Sequence, residues 1–170
     1  MKRTLIAIAA ALALSAPAFA QEVSVGSTSK GSTFANAKAV WALENKVEAV
    51  GEVRLTSKNA DTIKLGVQRN FVEVGPVTLG GRLNLVQGFG KTNWTGYSVE
   101  PTASFTYDKA AVTVGYEIAD SFASRHKENV DTTRVTVMYP FELGNFGLRL
   151  ENSRGERKDT SLALVYALKH

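Results

Sequence analysis

From residue 47 onward, apolar residues recur at every second position, in short runs separated by turn-forming residues. The first run sets Val47, Ala49, Gly51, Val53 and Leu55 against Glu48, Val50, Glu52, Arg54 and Thr56, and "SKNAD" supplies a turn. A period of two sends alternate side chains to opposite faces of an extended chain, so the run predicts a strand with one apolar and one polar face. Ile63, Leu65, Val67 and Phe71 come next, then Val77, Leu79, Leu83 and Leu85, then Val99, Ala103, Phe105 and Tyr107. The same rhythm continues through Val112 to Ile118, Val135 to Tyr139, Phe146 to Leu150, and Leu162, Leu164, Tyr166 and Leu168. These are eight strands, with no helical period among them.

Residues 21–45 are weaker in contrast. Val23 and Val25 alternate, and "FANAKAVWALENK" sets Ala35, Ala37, Ala39, Trp41 and Leu43 on one face. They are read as a further hairpin, giving ten strands. The alternative is an eight-stranded barrel with an inserted N-terminal segment.

The connections alternate too. "EVGP", "DKA" and "PFELGN" are short or tight, whereas "QGFGKTN", "ADSFASRHKENV" and "SRGERKD" are longer or more polar; "SKNAD" is the one short member of the second set. Membrane barrels show this asymmetry, with short periplasmic turns and longer outer loops. An even strand number is expected to leave both termini of the mature chain on the short-turn side.

Alternation does not say which face points outward, and a soluble lipocalin-like carrier would show the same period around an apolar cavity. The charges argue for apolar outside. Glu48, Glu52, Arg54, Lys64, Arg82, Glu100, Glu117, Arg134, Arg149, Glu151 and Lys169 all fall on the polar face in mid-strand, five acidic and six basic. Inside a lumen they can pair, whereas a basic residue facing the middle of a bilayer costs roughly 2 to 4 kcal/mol. Aromatic residues agree: Phe71, Tyr107, Tyr139, Phe146 and Tyr166 sit on the apolar face near short-turn ends, and Trp94 and Tyr97 flank a longer loop, the distribution of two interfacial girdles. Two residues depart from the pattern. Arg69 falls on the apolar face near a strand end, from which it can snorkel to headgroups. Pro101 lies inside a paired strand and predicts a bulge or a missing ladder bond.

Residues 1–20, "MKRTLIAIAAALALSAPAFA", combine a basic start, an apolar run and Ala-Phe-Ala before Gln21, which reads as a cleaved secretory signal peptide. The mature chain is then residues 21–170, one domain. Losing Lys2 and Arg3 lowers the formal charge from +4 to +2, which removes the compositional support for nucleic-acid binding. Without cysteine, disulfides, thiol chemistry and cysteine metal sites are excluded. No other apolar stretch is long enough for a spanning helix, so entry into a membrane requires a closed barrel.

The terminal segment "SLALVYALKH" places apolar residues at the third, fifth, seventh and ninth positions from the end, with Tyr166 at the fifth. It resembles the C-terminal assembly signal of bacterial outer-membrane proteins, although that signal usually ends in an aromatic residue and this chain ends in His170. The mature chain as a whole resembles small OmpA-type and porin-like outer-membrane β-barrels. The resemblance implies an all-β, closed, antiparallel, up-and-down transmembrane barrel in the outer membrane of a Gram-negative bacterium. It also implies outer-membrane lipid, lipopolysaccharide and the assembly machinery as partners.

Little in the chain points to catalysis. An outer-membrane esterase needs a base for its serine, and the mature chain offers only His126, near Ser124 and Glu128, and the terminal His170. The two histidines have no carboxylate at ligand spacing, "GFGK" at 88–91 lacks a phosphate-loop spacing, and the "NWT" sequon at 93–95 says nothing in a bacterial host. The sequence therefore predicts no catalytic, cofactor or metal residues. It predicts a non-enzymatic envelope protein with a structural or narrow-pore role. A lipid-modifying enzyme and a soluble periplasmic carrier are the alternatives.

Overall fold

Every alternating run forms a strand, and so does the low-contrast N-terminal stretch. The computed structural model describes residues 20–58, 60–90, 93–122, 129–155 and 158–168. The strands are β1 (Ala20–Thr28), β2 (Thr33–Ala42), β3 (Val47–Thr56), β4 (Asp61–Val74), β5 (Val77–Phe89), β6 (Trp94–Tyr107), β7 (Ala110–Ser121), β8 (Val130–Phe141), β9 (Gly144–Gly155) and β10 (Asp159–Leu168). Each pairs antiparallel with its neighbours in sequence, and β1 also pairs with β10, from Glu22 opposite Ala167 to Thr28 opposite Ser161. The sheet is a closed ten-stranded barrel, which leaves no open edge along its wall. The eight-stranded alternative is excluded, because β1 and β2 are staves of the wall.

Among the described residues no helix is long and apolar enough to cross a membrane, and the one helical turn is a three-residue 3-10 segment, Glu44–Lys46. The expected leader lies outside the described residues up to position 19, while Ala20 already stands opposite Val40.

Residues 43–46, 75–76, 108–109 and 142–143 join strands at one end of the barrel, where β1 begins and β10 finishes. The tightest of these turns use left-handed backbone, at Gly75 (φ 59°) and Asp108 (φ 52°). The longer connections lie at the other end.

Two irregularities interrupt the ladder. Pro101 cannot donate a backbone hydrogen bond, and the β6–β7 pairing skips from Val99–Ile118 to Thr102–Gly115 with the register kept on both sides. The result is a gap and not a bulge. The bulge lies in β4, where Asn70 faces Gly80 and Val72 faces Leu79, leaving Phe71 as the extra residue. Beyond it the parity of the strand switches, so Phe71, Val72 and Val74 are all exposed.

The faces divide cleanly. Most leucines, isoleucines and valines of β3 to β10 stand on the outer surface, among them Leu65, Leu85, Leu148, Leu150 and Leu164, each at least half exposed, while Val50, Val86 and Val165 point inward. A water-soluble monomer rarely exposes so continuous an apolar surface, whereas lipid removes its cost. A soluble carrier would have the two faces exchanged.

Candidate functional site: the ion-paired lumen

The inward side chains of mid-barrel are mostly charged. Glu52, Arg82, Glu100, Glu117, Arg149 and Glu151 are buried, and Glu48, Arg54, Lys64 and Arg134 are half-buried. Two inward charges escaped the sequence reading, Glu22 and Lys38, both in the N-terminal hairpin. Glu22 stands opposite Lys38, Lys38 opposite Glu52, and Glu52 opposite Lys64, so charge alternates in sign across β1 to β4. Six carboxylates thus meet six cations in mid-barrel; Lys169, also expected there, lies outside the described residues.

The pairing converges on Arg134 of β8. Its Nη1 donates to Glu100 at 2.6 Å, its Nε to Glu151 at 2.9 Å, and its Nη2 reaches Glu117 at 3.5 Å. Each carboxylate is shared in turn: Glu117 accepts from Lys64, Glu151 from Arg54 at 2.6 Å, and Glu100 lies 4.0 Å from Arg82, which pairs with Glu52 at 2.8 Å. A planar guanidinium with five donors suits this role, since a lysine could not hold three carboxylates in one plane. Neutral groups extend the network. Arg82 Nε donates to Asn84 at 2.7 Å, Asn84 donates to Ser98 at 2.9 Å, and Gln68 donates to Glu48 at 2.7 Å. Arg149 stands apart, donating to Glu22 at 2.6 Å and to Thr136 at 3.1 Å.

The network divides the lumen. A cavity of about 220 Å³ opens toward the long loops, with Arg54, Lys64, Trp94 and Glu117 in its wall. A second, of about 240 Å³, opens toward the turns, with Glu22, Lys38, Arg82 and Arg149 in its wall. Arg134 belongs to both walls and so sits at the partition. Apolar side chains fill the rest, with Val40, Val50, Val86 and Val165 buried on the inner face, and Arg54 stacks on the Phe34 ring with 4.0 Å to its centroid. Barrels of this strand number have interiors filled by side chains, and here the filling is largely ionic.

The expected interface aromatics lie on the outer surface near the turns. Phe71, Tyr107, Tyr139 and Phe146 are exposed and Tyr166 is half-buried. Phe141 joins them in a chain of ring contacts: Tyr139 to Phe141 at 5.6 Å, Phe141 to Phe146 at 5.5 Å and Phe146 to Tyr166 at 4.5 Å. The Tyr166 hydroxyl donates to the Leu143 carbonyl at 2.8 Å, tying the last strand to a neighbouring turn.

At the loop end one expectation is corrected. Tyr97 stands outside against Phe122, with centroids 5.7 Å apart, but Trp94 points into the barrel mouth and is 8% exposed. It lies flat on Gly88 across the β5–β6 pair, so close that a Cβ there would fall 1.9 Å from the indole nitrogen. Trp94 shares its parity with Ser98 and Glu100, which are inward.

Ser124, His126, Glu128 and His170, on which an esterase reading would depend, lie outside the described residues. Among those described, no group of three histidine, cysteine, aspartate or glutamate residues is placed to hold a metal.

A closed antiparallel barrel with leucines outside and paired charges inside has the build of an outer-membrane β-barrel. Two solved structures agree at the level of fold. The chain is similar to the KdgM porin, with a TM-score of 0.53 and 12% identity, over 89% of this chain and 99% of that one. The same figures hold for the KdgM porin in complex with disordered oligogalacturonate. The translocator domain of autotransporter NalP from Neisseria meningitidis aligns over 99% of this chain and 94% of its own, with a TM-score of 0.49 and 10% identity. No protein-family model matches the chain, and no curated protein is similar to it in sequence.

Proposed function

We propose that the chain is an exported outer-membrane barrel of a Gram-negative envelope, released from a leader at residues 1–20, with a structural or narrow-pore role and no catalytic one. The observation that carries this reading is the partition at Arg134, where one guanidinium holds Glu100, Glu117 and Glu151 between two small cavities. A lumen crossed by ion pairs favours rigidity and leaves room only for water and small ions. The KdgM porin is known in complex with oligogalacturonate. A polyanion of that kind meets no surplus of cations in mid-barrel here, because six carboxylates offset six basic groups, so that substrate is not carried over. The aromatics at the turn end anchor the barrel at the periplasmic interface. Outer-membrane lipid, lipopolysaccharide and the assembly machinery are its partners in this reading.

Planar-bilayer conductance of the refolded protein tests it. The parent is expected to show small ionic steps or none. A paired change, Glu52→Ser with Arg82→Ser, removes one anion and one cation together and should widen the partition and raise conductance. Large steps in the parent, unaffected by the paired change, would contradict the partition. Phospholipid hydrolysis by the parent that is lost in His126→Ala would contradict the non-enzymatic role.

A further inference from the structure

The charges of the lumen balance in number but not in place. Five of the six inward carboxylates are paired with an arginine or lysine, and the sixth, Glu48, is held by the neutral Gln68 at 2.7 Å. Five of the six cations are paired in return. The sixth is Lys38 of β2, which makes no ion pair and no side-chain hydrogen bond with any described residue. It stands opposite Glu22 on β1 and Glu52 on β3, but Arg149 takes Glu22 at 2.6 Å and Arg82 takes Glu52 at 2.8 Å. The leftover carboxylate, Glu48, lies four residues along β3 from Glu52, roughly 13 Å away at the rise of an extended chain.

Lys38 lines the turn-side cavity, and that wall carries a surplus of positive charge. Lys38, Arg82, Arg134 and Arg149 face it against two carboxylates, Glu22 and Glu100. Arg69 also borders it, but from an exposed, outward-facing strand position, and is left out of this count. Glu48 is not in the wall. Neutral donors complete it, with the hydroxyls of Thr102, Ser104, Thr113 and Thr136. The loop-side cavity differs, because its mid-barrel cations Arg54 and Lys64 are both held by carboxylates. A cleft walled by an excess of one sign concentrates ions of the other, and a charge held away from bulk water is stabilised by a partner.

We propose that the turn-side cavity binds a small monovalent inorganic anion of chloride size, seated on the Lys38 ammonium with wall hydroxyls completing its shell. One unpaired cation matches one negative charge. An anion of higher charge would have to draw Arg82 or Arg149 off its carboxylate. The volume of about 240 Å³ takes a halide together with several waters, at about 30 Å³ each. The site goes beyond the structural or narrow-pore reading, since it requires the closed lumen but no ion flow past Arg134. A parent without conductance steps would leave it intact.

Chloride NMR line width tests the site, with sodium chloride titrated into the barrel refolded in zwitterionic detergent micelles. The parent is expected to show a saturable broadening that is lost in Lys38→Met, which keeps the chain length and removes the charge. Lys46→Gln, in an exposed turn outside the cavity, should keep it, which separates the site from loose association with surface lysines. Glu22→Gln frees Arg149 and removes a facing carboxylate, so chloride affinity should rise several-fold. Equal broadening in the parent and Lys38→Met would mean that water alone serves the ammonium, and overturns the site. A parent with no saturable component overturns it as well. Heat-modifiable mobility checks the fold of each variant; where Lys38→Met does not fold, Glu22→Gln decides, and an affinity unchanged there overturns the proposal.

Discussion

Leu150 and Glu151 are neighbours on β9 and opposites in environment. Leu150 is 50% exposed on the outer face, and Glu151 is 5% exposed inside, bonded to Arg134, Arg54 and Ser161. In a water-soluble protein both placements would be costly, since one strips water from a charge and the other offers hydrocarbon to water. Here lipid removes the second cost and pairing offsets the first. The two faces therefore fail differently. The outer face depends on the summed apolar character of many residues, and the inner face on a few contacts that are shared among several partners.

The largest effect should come from Arg134→Ala. It strands Glu100, Glu117 and Glu151 together, and breaking a buried charge pair from one side costs about 3 to 5 kcal/mol. Unfolding of the refolded barrel in urea with vesicles present measures it, and a loss below about 1 kcal/mol would mean that water already solvates the partition. Next is the outer face: Leu164→Arg puts a cation among Val25 and Leu148, its partners on β1 and β9, and should cost about 2 to 4 kcal/mol in a bilayer. The same substitution would be nearly neutral if that face met water. Arg149→Ala ranks lower, at about 1.5 kcal/mol, because its partner Glu22 retains 20% exposure and can be hydrated. The smallest effect is expected at Pro101→Ala, which restores a donor at the β6–β7 gap and should change stability by no more than about 1 kcal/mol in the same assay. A loss of twice that would show that the gap is required by the packing around it.

Much of this was legible because a barrel wall has one rule, and β3 to β10 obey it at nearly every position. The rule fades in β2, where the outward residues Ala35, Ala37 and Ala39 contrast weakly with the inward Asn36 and Lys38, so the hairpin has the faintest alternation of the wall and its inward charges do not stand out. Counting parity back from Val25 would have found Glu22, and counting back from Glu100 would have turned Trp94 inward. The bulge at Phe71 was hidden for the opposite reason. Phe71 itself fits the outer parity, and only the exposed Val72 and Val74 after it betray the slip. The ion pairs were not legible at all as pairs. Arg54 on β3 meets Glu151 on β9, 97 residues away, and that meeting is set by closure and stagger, which no local pattern encodes.

The central claim is that this wall closes on itself with its apolar face to lipid. Heat-modifiable gel mobility of the chain from residue 21, refolded into detergent, tests it most directly. A folded band that migrates differently before boiling, with a β-rich circular dichroism spectrum, is the predicted result. A chain that folds to the same β-rich state in plain buffer, monomeric and without any mobility shift, would contradict it.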